Sequence, residues 1–274
     1  MPTMHIVVCV KQIINPDTPA HLFQLDPQTK KQIRGSQPLV ISIFDEIAVE
    51  VALQFRDKDK SATVSALSLG ETEAGETLHH AQGMGAGPAF LLSDPAFADL
   101  DAFGRAHVLA AALRKIGETT PVDLVLCGQQ AGDVELGVTG PYLAEALGWP
   151  MVALASNIVP ASEGRIRFTR PREGGYAVLE APLPCVATIT NDQSNVPRYP
   201  SILGIRKAMK TQLPVWAAAD LSLDRNLLAP EAARLNLTAI ETARRESHCE
   251  FIPGQSAKEK GEHLAQRMRE LKLI

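Results

Sequence analysis

The sequence predicts an α/β fold: a mostly parallel sheet with helices on both faces, followed by antiparallel strands and an extended C-terminal arm. Three observations carry that reading. Four short apolar runs, residues 5–10, 62–69, 89–92 and 122–127, show little polar alternation, as strands do when both faces of a sheet are covered. Helical patterns separate them, and strand alternating with helix is the order that builds a parallel sheet. After Trp149-Pro150 the helical patterns stop, and short runs divided by Gly and Pro take over.

Each element follows in chain order. His5-Ile6-Val7-Val8-Cys9-Val10 opens the sheet. Residues 46–53 place apolar side chains at i, i+3 and i+4, and Asp45 ahead of them is the expected N-cap, because a short carboxylate accepts the free N–H groups of a first turn. The run 62–69 ends at Gly70, helical patterns cover 71–84 and 103–116, and the run 122–127 ends at Gly128. Beyond residue 150 the strand candidates are 151–159, 165–170, 176–180 and 185–190, read as a meander attached to the main sheet. Residues 214–253 have little periodicity and lead to an amphipathic helix over 256–271. A long arm of that kind needs another surface to lie on, which points to an obligate partner.

Composition narrows the function. With 45% hydrophobic and 21% charged residues in 274, the chain is neither disordered, collagen-like nor a coiled coil. Its net charge of -4, from 27 basic and 31 acidic residues, supplies no basic face for nucleic acid. No run approaches the roughly 20 apolar residues of a membrane span, and the first strand starts too early to leave room for a leader peptide. Cys9, Cys127, Cys185 and Cys249 contain no Cys-x-x-Cys pair, so neither a zinc site nor a disulfide framework is expected. The expectation is a cytoplasmic protein without nucleic-acid or membrane partners.

Three segments have the composition of functional sites. Residues 128–141, Gly128-Gln129-Gln130-Ala131-Gly132-Asp133-Val134-Glu135-Leu136-Gly137-Val138-Thr139-Gly140-Pro141, follow the fourth strand and run into a helix. Small residues beyond a parallel strand let backbone N–H groups approach a phosphate at the next helix N-terminus. The loop has neither the Gly-x-Gly-x-x-Gly fingerprint nor the P-loop ending, and by composition it also reads as a plain tight turn. In residues 195–210 two prolines hold the approach extended, and Ser201 can cap a short helix that ends in basic residues. Arg170-Pro171-Arg172-Glu173-Gly174-Gly175-Tyr176 reads as a hairpin. No catalytic constellation is visible: His79-His80 lacks the i, i+4 spacing of a metal pair, and no Gly-x-Ser-x-Gly elbow is present.

Together these segments resemble the beta subunit of electron transfer flavoproteins, almost over the full length. The resemblance is carried by Ile6-Val7-Val8-Cys9-Val10-Lys11-Gln12, Phe44-Asp45-Glu46-Ile47-Ala48-Val49-Glu50, and Asp123-Leu124-Val125-Leu126-Cys127-Gly128-Gln129-Gln130-Ala131. It continues in Gly174-Gly175 leading to Leu183-Pro184-Cys185-Val186-Ala187-Thr188, and in Pro197-Arg198-Tyr199-Pro200-Ser201. It implies a Rossmann-like fold, related to adenine nucleotide alpha hydrolases, over residues 1–213, and an arm over 214–274 that packs on an alpha subunit. It also implies a heterodimeric carrier that moves electrons between flavin dehydrogenases, typically of acyl-CoA type, and an acceptor. The redox FAD would be held mainly by the alpha subunit.

Transferred position by position, the resemblance implies a structural AMP on this chain, bound by Cys9, Ser42, Ile43, Phe44, Asp45, Leu69, Gly128, Gln129, Gln130, Ala131, Gly132, Asp133, Gly137, Val138 and Thr139. Phe44 matches an aromatic near the flavin in relatives. The segment 195–210 matches a recognition loop, with Ile202 as its anchor beside Tyr199, Leu203, Lys207 and Lys210. Two alternatives stay open. Electron-bifurcating relatives place a second FAD in the AMP pocket and accept hydride from NADH there. An adenine-nucleotide hydrolase would need a Ser-Gly-Gly-x-Asp-Ser loop where Val10-Lys11-Gln12-Ile13-Ile14-Asn15 stands.

Overall fold

The computed structural model describes residues 3–162, 164–242 and 249–274. In chain order its strands and helices are β1 (His5–Val10), β2 (Gln12–Ile14), β3 (Gln24–Asp26), β4 (Lys31–Ile33), β5 (Leu39–Ile41), α1 (Ile43–Lys58), β6 (Thr63–Leu69), α2 (Gly75–Met84), β7 (Ala89–Leu92) and α3 (Ala102–Thr119). They continue with β8 (Leu124–Gly128), α4 (Thr139–Leu147), β9 (Met151–Ala155), β10 (Asn157–Pro160), β11 (Arg165–Arg172), β12 (Gly175–Pro182), β13 (Cys185–Ile189), α5 (Ile202–Ala208), β14 (Val215–Trp216) and α6 (Ala257–Glu270).

The central sheet runs β14-β7-β6-β1-β8-β13-β9, and every pairing in it is parallel. Side chains of β1 alternate between its two faces, as the pleat requires. Ile6, Val8 and Val10 join the core under α1 and α2, whereas Val7 and Cys9 join the core under α3 and α4. Residues 6–10 are covered by apolar side chains on both faces, which is why this part of β1 shows no polar alternation. From β1 the chain winds out through β6 and β7, then returns to the other side of β1 at β8. That reversal leaves a crevice beyond the carboxyl ends of β1 and β8, the position where open parallel sheets bind ligands.

Three expectations change. Asp45 does not cap α1: Ser42 occupies the cap position, without a side-chain capping bond, and Asp45 lies in the first turn with its carboxylate buried. The run 151–159 falls in two strands, β9 and β10, separated at Ser156, with Leu154 inside β9 at φ 58°. β9 and β13 are parallel members of the main sheet, and of the strands after residue 150 β10, β11 and β12 form an antiparallel sheet of their own. The Gly174-Gly175 hairpin stands as expected, with Arg172 opposite Gly175. In the arm, β14 adds to the edge of the central sheet beside β7, and α6 starts at Ala257, capped by Ser256, whose hydroxyl accepts from Glu259 N–H. Residues 243–248 of the arm lie outside the described residues. No helix among the described residues is long and apolar enough to cross a membrane.

Candidate functional site

The crevice at the reversal is a cavity of about 390 Å³. Asp45 builds its floor. One carboxylate oxygen accepts from the Lys11 backbone N–H just past β1, and the other accepts from Gly128 N–H at the end of β8, both at 2.9 Å. The head of α1 thereby ties together the two strand exits between which the crevice opens. Burial pushes the Asp45 carboxyl up to about 7, opposed by the two backbone donors and the Lys11 charge. Gly128 permits the close approach: a Cβ there would fall 2.5 Å from Asp45 Oδ1 and 2.8 Å from the Phe44 backbone.

The loop after β8 is pinned twice. Ser42, fully buried, accepts from Gly132 N–H at 3.2 Å, and Asp133 binds Lys11 Nζ through both carboxylate oxygens at 2.8 and 2.7 Å. The loop then enters α4, where Gly140 sits so near β13 that a Cβ would lie 2.4 Å from Thr188 Cγ2. Among the described residues the N–H groups of Thr139 and Gly140 meet no acceptor within the chain, and both residues line the cavity. Free N–H groups at a helix N-terminus facing a cavity are suited to a phosphate. Lys11 and Arg105 bring positive charge to the same walls. Arg105 Nε donates to Leu100 O at 2.8 Å; burial lowers its pKa, and the Asp133, Asp99 and Asp101 charges oppose that shift.

Of the residues selected from sequence, Cys9, Asp45, Leu69, Gly128, Gln129, Gln130, Ala131, Gly137 and Thr139 line this cavity. Ser42, Gly132 and Asp133 brace it from behind, and Val138 holds the cap position of α4. Ile43 and Phe44 are elsewhere. Ile43 is exposed on a second, open cavity of about 590 Å³, shared with Glu46 and His80, while Phe44 is half-buried against the core under α1. Sequence reasoning missed Lys11, Asp101, Arg105, Leu235 and Leu237. Lys11 could have been found from its place directly after β1. The two leucines carried no local signal: the arm returns over the cavity because Arg234 and Leu235 N–H both donate to Asp101, at 2.7 and 2.9 Å.

The segment 195–210 forms a separate feature. Ser201 caps α5 by accepting from Gly204 N–H, and α5 packs on α2. Its outer side presents Tyr199, Ile202 and Leu203 at 96, 73 and 78% exposure, beside the exposed Lys207 and Lys210. His80 pairs with Glu46 at 2.7 Å, and the described residues contain no group of three metal-ligating side chains.

Comparison with known proteins agrees with this architecture. A family model described as the electron transfer flavoprotein domain matches residues 32–221. The chain is 34% identical over 272 residues to the electron transfer flavoprotein subunit beta of Thermoanaerobacterium thermosaccharolyticum, covering 99% of this chain and 100% of the relative. It is 33% identical over 276 residues to the caffeyl-CoA reductase-Etf complex subunit CarD of Acetobacterium woodii, covering 99% and 100%. It is also 33% identical over 223 residues to protein FixA of Azotobacter vinelandii, covering 81% and 77%. The chain therefore belongs to the electron transfer flavoprotein family, on its beta-subunit branch.

Proposed function

We propose that this chain is the beta subunit of a heterodimeric electron transfer flavoprotein and holds a structural AMP in the cavity between β1 and β8. The complex carries electrons between flavin dehydrogenases of acyl-CoA type and an acceptor in the cytoplasm, and this chain alone turns over no substrate. The observation that supports AMP is the cavity's size and donor set. At about 390 Å³ it sits at the small end of ligand sites, roughly 300–1,000 Å³, which favours a mononucleotide over a dinucleotide. The N–H groups of Thr139 and Gly140, with Lys11 and Arg105, suit the phosphate; Cys9, Leu67, Leu69 and Leu109 offer apolar walls for a base.

The redox FAD, held mainly by the alpha subunit, supplies one- and two-electron chemistry when bound. On this chain Ile43, at the head of α1, borders the open cavity where a cofactor from the partner would meet it, with Phe44 half-buried against the core beside it, and their role is to keep water off the face they cover. Ile202, with Tyr199 and Leu203, docks on the dehydrogenase, and Lys207 and Lys210 form its charged rim. The arm over 214–274 packs on the alpha subunit; the lack of any buried residue in α6 supports this.

A second reading places a second FAD in the same cavity, as in a subunit that accepts hydride from NADH. The similarity to CarD, a subunit named for a reductase complex, favours it. The test is to co-express the chain with its alpha partner, denature the purified complex, and quantify FAD and AMP per heterodimer. One FAD and one AMP support the carrier reading. Two FAD without AMP replace it by the second, and no nucleotide overturns both.

A further inference from the structure

Cys9 and Cys127 lie side by side on adjacent strands, a pairing that neither reading uses. β1 and β8 pair in parallel with Ile6 opposite Leu124, Val7 opposite Val125 and Val8 opposite Leu126, so one further step in register sets Cys9 beside Cys127. Both side chains point to the same face, in the core under α3 and α4, and both line the switch-point cavity. Adjacent strands lie about 4.8 Å apart, inside the roughly 4.4–6.8 Å window between Cα atoms that a disulfide accepts. Cys185 belongs to the opposite core, and Cys249 is exposed, so neither competes for this pairing.

We propose that Cys9 and Cys127 form an oxidisable dithiol in the cavity floor, which closes to a disulfide joining β1 to β8. In the step, the two S–H bonds break and one S–S bond forms. Two electrons and two protons pass to the oxidant: a peroxide becomes two waters, and a diazene becomes a hydrazine. The cavity gives a small oxidant its route to sulfurs that are otherwise buried. Groups facing the pair are Asp45 from α1, Lys11 after β1, Asp101 at the cap of α3 and Arg105 on α3. The Cys9 thiol, then burial, then the Asp45 charge hold the Cys127 thiol well above its ordinary pKa. Because the thiolate is the attacking species, closure is slow at neutral pH and accelerates in mild base. The inference rests on the bound nucleotide of the proposed function, whichever it is, leaving Cys9 and Cys127 open to a small oxidant at the cavity floor.

The experiment treats the heterodimer, purified with its alpha partner, with the diazene diamide at pH 8. Denaturing alkylation and peptide mapping then read each cysteine. The expected result is joint loss of alkylation at Cys9 and Cys127, a Cys9–Cys127 cross-linked peptide, full reversal by dithiothreitol, and Cys185 still a thiol. In Cys127→Ala, a small apolar replacement that keeps the fold, the cross-link disappears and Cys9 remains alkylatable. The proposal is overturned if Cys9 and Cys127 are both still alkylated once the exposed Cys249 has been oxidised completely, or if either is cross-linked to a different cysteine.

Discussion

Arg198 grips Glu50 through its side chain and its backbone: Nε and N–H both donate to one carboxylate oxygen, at 2.8 and 3.1 Å, and Nη2 donates to the other at 3.0 Å. Glu50 lies on α1 with its side chain 6% exposed, and Arg198 also reaches Asp57 at 2.9 Å. The clamp fixes the approach to α5, so that Tyr199, Ile202 and Leu203 can stand in solvent without the segment collapsing onto the core. Burial pushes the Glu50 carboxyl up, but its bonds from Arg198 and Gln54 outweigh that and hold it below its ordinary value.

Arg198→Met leaves a buried carboxylate without its cation, and should cost about 2 kcal/mol, part of the penalty for breaking a buried pair because Arg198 keeps some contact with water. Glu50 is depressed on folding, so the stabilisation is present above its unfolded value near 4.5 and is lost as pH falls through the lower folded value. Urea denaturation of wild type and variant should show a gap at pH 7 that closes in acid; an equal gap at all pH values would remove the ionic account.

Asp45 has the opposite sign. Its folded carboxyl, raised to about 7 from 3.8, binds a proton that the unfolded chain has released, so its contribution falls as pH rises from about 4 to 7. Asp45→Asn should flatten the pH dependence of stability across that window, and should compare best with wild type at pH 8. A thermal-melt series over pH checks it, and unchanged curvature in the variant counts against the shift.

At the cavity, Asp133→Ala frees Lys11 and unpins the loop after β8, so nucleotide retained through gel filtration should drop. Retention equal to wild type would show that Lys11 and the loop hold nothing.

Gly140→Ala drives a Cβ to 2.4 Å from Thr188 Cγ2, with α4 and β13 unable to separate without opening the core. Overpacking of this kind should lower stability by about 2–3 kcal/mol, seen as a reduced midpoint in urea. A neutral result would mean that α4 can shift away from the sheet.

For docking, Ile202→Ala should slow electron transfer from the dehydrogenase by roughly tenfold, with flavin content unchanged, as expected when an exposed anchor leaves its pocket. Stopped-flow reduction of the complex decides the matter, and loss of flavin would assign Ile202 to assembly instead.

What was legible in the sequence was whatever short-range pattern controls. Apolar runs of strand length, helical spacing and small residues at strand ends located β1, β6, β7, β8, the helices between them and the loop that enters α4, because burial on both faces of a sheet imposes those patterns locally. Ser201 could be read as a cap for the same reason. Tertiary structure decided the rest. β9 and β13 look like members of a meander, yet they pair in parallel, since strand direction depends on how the chain crosses the sheet rather than on composition. Asp45 has the residue type and position of a cap, but its carboxylate binds Lys11 and Gly128, 34 and 83 residues away in sequence. Leu235 and Leu237 come to the cavity only because distant backbone groups find Asp101, and Cys9 meets Cys127 only through strand register. Contacts between residues far apart in the chain leave no periodic trace, which is why the fold was written locally and the site was not.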